Sequence, residues 1–219
     1  MTTNLTELVF ILDRSGSMSG LESDTIGGFN AMLAKQQAEP GACRLTTVLF
    51  DNLYEVLHDR IDIQAVRPIT DSDYYVRGNT ALLDAIGMTI NKIGRVQKST
   101  ADEFRADKVL FVITTDGMEN ASREFDYEKI KSMIEHQKEK YKWEFIFLGA
   151  NIDAVDVADR FGVAGNRAQS YHNDKEGIAL NYAVMSKTVA EYRAAPKGVS
   201  FDDSWSAEIQ EDYERRGGS

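Results

Sequence analysis

The chain has 219 residues, 42% of them hydrophobic and 27% charged, enough for one well-packed globular domain and short for two. A formal net charge of -10 argues against binding to a phosphate backbone, which relies on clustered Lys and Arg, and no apolar run approaches the ~18 residues of a membrane span. Neither nucleic acid nor membrane is therefore an expected partner. The amino terminus shows no basic segment followed by an apolar one, and Cys43 is the single cysteine, so a reducing cytoplasm is expected, with Cys43 as a small core residue.

In chain order, residues 7–12 form a short apolar run rich in branched and aromatic side chains, the pattern of a buried strand. Asp13-Arg14-Ser15-Gly16-Ser17 follows as a polar, glycine-bearing loop, and Leu21, Ile26, Phe29, Met32 and Leu33 then recur at helical spacing. Residues 45–50 read as a second strand, joined by an Asp51-Asn52 turn to a hairpin partner over residues 54–58. After a polar connector, residues 81–96 give an amphipathic helix, with Thr80 or Asn79 as its cap. Residues 108–113 are the most apolar strand and belong near the sheet centre. A helix marked by Tyr127, Ile130, Met133 and Ile134 follows, then a strand over 143–148 and a short helix over 154–161. The series ends with a weak strand near 168–171 and a longer helix over 178–192. From Pro196 no period is sustained, and three fates stay open for this stretch: packing on the domain, binding a partner, or partial disorder.

Strands alternating with helices predict an α/β fold, a mostly parallel sheet covered on both faces, with the hairpin strand as an antiparallel edge. In such sheets the loops that follow the strands gather along one edge, where ligands bind. Three of them carry oxygen donors: Asp13, Ser15 and Ser17 after the first strand, Thr80 at a helix start, and Asp116 in Thr114-Thr115-Asp116-Gly117 after the strongest strand. Two carboxylates and three hydroxyls suit a hard divalent cation such as magnesium or manganese, with calcium a further candidate. Because magnesium prefers six oxygens, the set calls for water or an outside carboxylate to complete it.

These residues give the chain a resemblance to the von Willebrand factor type A domain with a metal-ion-dependent adhesion site (MIDAS). Asp13-Arg14-Ser15-Gly16-Ser17 matches that family's Asp-x-Ser-x-Ser motif, Thr80 its lone threonine and Asp116 its aspartate, over roughly residues 5–195. The resemblance implies a six-stranded, doubly wound sheet of order 3-2-1-4-5-6 with strand 3 antiparallel. It also implies direct ligation by Ser15, Ser17 and Thr80, with Asp13 and Asp116 acting partly through water. Thr115 departs from a more usual apolar residue. The implied function is non-catalytic recognition of a protein whose Asp or Glu completes the metal shell. Soluble members of the family occur as partners of ATPases, metal-insertion machinery or stress-response systems, and the expected domains are residues 1–195 and a carboxyl-terminal extension, 196–219.

Other readings attach to the same residues. A magnesium-dependent phosphohydrolase of the haloacid-dehalogenase type also places an aspartate after its first strand, but needs a second two residues later, where this chain has Ser15. A structural subunit with a vestigial metal site is a third reading. His58, His136 and His172 lack ligand spacing, and no phosphate-binding glycine motif is present. Arg14 and Arg77 are expected to be exposed or ion-paired, the alternative being that they steer a partner carboxylate, and Glu119 and Asn120 to lie in a solvated loop, the alternative being the rim of the site. Tyr74 and Tyr75 form either an aromatic rim or packing for the connector.

Overall fold

The computed structural model describes residues 4–218. Its elements run β1 (Thr6–Asp13), α1 (Glu22–Ala38), β2 (Cys43–Phe50), β3 (Tyr54–Asp62), α2 (Leu82–Ser99), β4 (Lys108–Thr115), α3 (Tyr127–Tyr141), β5 (Glu144–Ala150), α4 (Ala154–Arg160), β6 (Ala168–Tyr171), α5 (Lys175–Ala194) and α6 (Ala207–Arg215). The six strands form one sheet in the order β3-β2-β1-β4-β5-β6. All pairings are parallel except β2 with β3. The expected fold class, sheet order and antiparallel edge are thus those of the molecule.

β1 and β4 read as continuous apolar runs because both faces of a central parallel strand are buried. Leu8, Phe10 and Leu12 of β1, with Leu110 and Val112 of β4, pack in the core that also holds Phe29 of α1 and Val189 of α5. The alternate residues, Val9, Ile11, Phe111 and Ile113, pack in the opposite core with Ile86 and Ile90 of α2 and Ile130 and Ile134 of α3. Each fully buried side chain of this size contributes roughly 1.5–3 kcal/mol. On the first face α1 and α5 approach closely because α1 carries Gly28 there: a Cβ at that position would lie 2.2 Å from the Tyr182 ring. Among the described residues no helix is long and apolar enough to cross a membrane.

Asp126, Asp153 and Asp174 cap α3, α4 and α5 with their own side chains, accepting from the backbone N–H of Lys129, Asp156 and Gly177. α2 differs. Neither Thr80 nor Asn79 caps it; Ala81 stands at the cap position without a side-chain bond. The free N–H groups of its first turn are instead met from another loop, Leu83 N–H donating to Glu119 and Asp84 N–H to Ser122.

Residues 196–218 pack on the domain. Phe201, Trp205 and Ile209 enter the α1/α5 core, and the Trp205 indole donates to the Asn166 carbonyl. Arg167 holds this segment through Asp203, Ser200 and the Phe201 carbonyl. Arg216 forms an ion pair with Asp174, the residue that caps α5.

Candidate metal centre

Strand order reverses between β1 and β4, so the loops leaving their carboxyl ends part and open a crevice there. Asp13, the last residue of β1, sits at its mouth, buried to 2% exposure. One carboxylate oxygen accepts from Ser15 N–H at 2.7 Å, the other from the Thr115 hydroxyl at 2.6 Å. A single 3-10 turn over Gly16–Met18 sets the Ser15 and Ser17 hydroxyls 3.0 Å apart. Ser17 then donates to Asp116 Oδ1 at 2.5 Å, which closes the gap between the β1 and β4 loops. Asn173, just beyond β6, donates to Asp116 Oδ2 at 2.9 Å, and Asn151, just beyond β5, to the Asp116 carbonyl at 3.3 Å.

Asp13, Ser15, Ser17 and Asp116 therefore form one hydrogen-bonded cluster. Thr80 lies beside it, fixed by its backbone: its N–H donates to Asn120 Oδ1, and its carbonyl accepts from Asn120 and Ala121. Its hydroxyl borders Gly117, where a Cβ would lie 3.6 Å from Thr80 Oγ1 and 3.4 Å from Ser17 Oγ. The missing side chain at Gly117 keeps that space open between the two hydroxyls.

Burial dominates the electrostatics. It pushes the Asp13 carboxyl up to about 6, against the hydrogen bonds from Ser15 and Thr115 that favour its charged form. Burial also raises Asp116, opposed by Ser17 and Asn173. Among the described residues no basic side chain bonds to either carboxylate. The nearby guanidinium of Arg14 is fully buried and turned to Glu55 at 2.6 Å and Asp51 at 3.7 Å, and Arg77 holds Asp51 at 2.5 Å. Both arginines are thus ion-paired, and Arg14 is not exposed. Tyr74 is buried, its hydroxyl donating to the Asp13 carbonyl at 2.5 Å, while Tyr75 is exposed with both guanidinium groups 5.4 Å from its ring centre.

The donor set fits a hard divalent cation. Two desolvated carboxylates, with no bonded counter-charge among the described residues, stand among three hydroxyl oxygens, the chemistry that magnesium, manganese and calcium favour. Asn173 Oδ1, beside Asp116, is buried without a hydrogen-bond partner. Among the described residues no group of three His, Cys, Asp or Glu forms a metal site, so a cation here would depend on hydroxyls.

Sequence reasoning did not find Thr115, Asn151 or Asn173. For Thr115 the signal was its departure from an apolar residue at a strand end; the hydroxyl serves Asp13. The two asparagines directly follow β5 and β6, on the edge where such loops gather, but their spacing carried no motif. Glu119 is no solvated side chain: it accepts from Leu83, Ala121 and Ser122 and shapes the loop that carries Asp116.

No family model and no curated protein matches the chain. Solved structures do. A von Willebrand factor type A protein from Catenulispora acidiphila superposes with a TM-score of 0.56 at 13% identity, over 84% of this chain and 42% of that one. The ArnB paralog VWA2 from Sulfolobus acidocaldarius gives 0.53 at 16% identity, over 87% and 45%. Proximal thread matrix protein 1 from the mussel byssus, with a zinc-occupied MIDAS motif, gives 0.55 at 12% identity, over 84% and 46%. This chain spans less than half the length of each of these three. At these identities the likeness establishes the fold, which is that of the von Willebrand factor type A domain.

Proposed function

We propose that this chain is a divalent-cation-dependent protein-recognition domain. Asp13, Ser15, Ser17, Thr80 and Asp116 hold one ion, magnesium before manganese or calcium, and an Asp or Glu of a partner protein completes its shell. The observation that carries this reading is the pair of buried carboxylates, without a bonded cation among the described residues, linked through Ser15 and Ser17 at the β1/β4 crevice. A bound ion supplies an electrophilic centre for an outside carboxylate. The chain's own residues supply pre-organisation: Thr115 and Tyr74 fix Asp13 from two sides, while Asn173 and Asn151 fix Asp116, so little ordering remains at the moment of binding. The zinc-occupied motif of the mussel protein supports this class of site and does not choose the metal.

A non-catalytic role fits the surroundings. His58 bonds to Thr47 and His172 to the Tyr213 carbonyl, so neither is joined to the cluster, and a phosphohydrolase would need an acid where Ser15 stands. A buried, unpaired Cys43 accords with a cytoplasmic setting, where ATPase or stress-response partners of the family reside. The test is calorimetric titration of metal-stripped protein with magnesium and manganese, alone and with an Asp-bearing peptide. Binding of a single ion by the parent, strengthened by the peptide and lost in a folded Asp116→Asn variant, is expected. A parent that takes up no ion with or without the peptide would overturn the reading.

A further inference from the structure

The net charge hides a local reversal at the opposite edge of the sheet. At the amino ends of β4 and β5, between the last turns of α2 and α3, lies a groove of about 920 Å³. Eight basic and two acidic residues line it, in a chain whose formal charge is -10. Lysines often answer the dipole at a helix end, but two helix ends together amount to about one negative charge, well short of this excess. Some of these cations are committed within the fold: the Lys108 ammonium donates to the carbonyls of Tyr192, Arg193 and Ala195. Lys98 and Lys142 are exposed, and among the described residues neither ammonium group forms a hydrogen bond or ion pair.

The lining also holds unmatched polar groups. Gln97 is buried to 7% exposure, yet neither its amide nitrogen nor its amide oxygen has a partner, and Gln137 Oε1 is likewise buried and unpartnered. Phosphate oxygens only accept hydrogen bonds. They would satisfy lysines and the Gln97 nitrogen, whereas the two amide oxygens match a ligand that also carries N–H or O–H donors. On the α3 side the half-exposed Tyr141 ring packs against His136, with the Lys140 ammonium 5.3 Å from its centre. A flat aromatic surface thus stands next to the cations.

We propose that this groove binds a nucleoside phosphate, with the phosphates on Lys98 and Lys142, the base against Tyr141, and base-edge or ribose donors and acceptors on the Gln97 and Gln137 amides. The volume falls within the range of small-ligand sites, and buried amides favour a compact ligand over an extended chain. The groove lies about 25 Å, one strand length, from the metal cluster, and the inference does not rest on that cluster.

The test uses whole protein dialysed free of metal, so that phosphates cannot bind through a cation. It is titrated calorimetrically with ADP, adenosine, pyrophosphate and a glutamate hexapeptide. One equivalent of ADP is expected to bind with Kd below about 1 mM, and adenosine and pyrophosphate each about tenfold more weakly. Lys98→Glu with Lys142→Glu, both exposed, should weaken ADP by about tenfold or more. Gln97→Leu should bring ADP down to the level of pyrophosphate; as that site is buried, Tyr141→Ala provides the same comparison at an exposed position. Absent binding of ADP, equal affinity for ADP and pyrophosphate, undiminished binding by the charge-reversed variant, or tighter binding of the hexapeptide would each overturn the proposal.

Discussion

Asp13 is subject to two opposed demands. Its place at the end of a buried strand strips water from a carboxylate, and the hydrogen bonds from Ser15 and Thr115 do not fully offset that loss, so its affinity for a proton rises to about 6. A group whose folded pKa lies above the unfolded value of about 3.9 destabilises the fold when charged. That cost is complete above about pH 6 and is relieved as pH falls through the folded value. In metal-free protein Asp13→Asn is therefore expected to raise unfolding free energy by about 1–3 kcal/mol at pH 7, with a smaller gain at pH 5. Urea unfolding at the two pH values checks this. A variant less stable than the parent at pH 7 would mean that the hydrogen bonds outweigh burial. The same substitution should abolish cation binding, so stability and function oppose each other at this residue. Arg14 shows a different balance: fully buried, it keeps Nε and Nη1 without hydrogen bonds while its Nη2 holds Glu55. Its guanidinium pairs with Asp51 and Glu55, and among the described residues Asp13 and Asp116 bond no cation.

At the scale of elements, strands were legible wherever both faces are buried, as in β1 and β4, because burial on two sides writes itself as an unbroken apolar run. β3 was legible only in part. The reading stopped at His58 while the strand runs to Asp62, because an edge strand carries polar residues and this one bends where its register with β2 shifts around Thr47. The start of α2 misled for a physical reason. Its first-turn N–H groups are met by Glu119 and Ser122, more than thirty residues away in sequence, and local cap rules cannot see a partner supplied by tertiary structure. The metal-ligand candidates were legible because each lies in a short motif at a strand or helix end. Asn151 and Asn173 were not, since only the sheet order brings them to Asp116. Residues 196–218 lack a period because Phe201, Trp205 and Ile209 come from an irregular stretch, a 3-10 turn and a helix. Trp205→Ala is expected to cost about 3–5 kcal/mol, since it removes a buried ring and takes from the Asn166 carbonyl the shorter of its two hydrogen bonds, the other coming from Arg167. Chemical denaturation measures it; a loss below about 1 kcal/mol would show the segment to be only loosely seated.

Across the whole molecule, the mostly parallel sheet separates two chemistries, an anionic cluster where its central strands end and a cationic groove where they begin. The overall acidity says nothing of this division, because the groove's lysines come from separate stretches of sequence and meet only in the fold. A cation that binds the native state and not the unfolded chain stabilises by mass action. Magnesium at about a hundredfold excess over its Kd is expected to raise the midpoint of thermal unfolding by roughly 5–10 °C in the parent. In Asp116→Asn the shift should be no larger than that given by sodium chloride of the same ionic strength. An equal shift in both proteins would mean that magnesium acts by screening alone.

Arg216 clasps Asp174, whose chain neighbour Asn173 grips Asp116. The carboxyl-terminal helix is thus moored, through one capping residue, to the carboxylate proposed to hold the metal. For anyone preparing this protein, a purification handle or fluorophore fused behind residue 219 would pull on that mooring and become a silent variable in every cation titration.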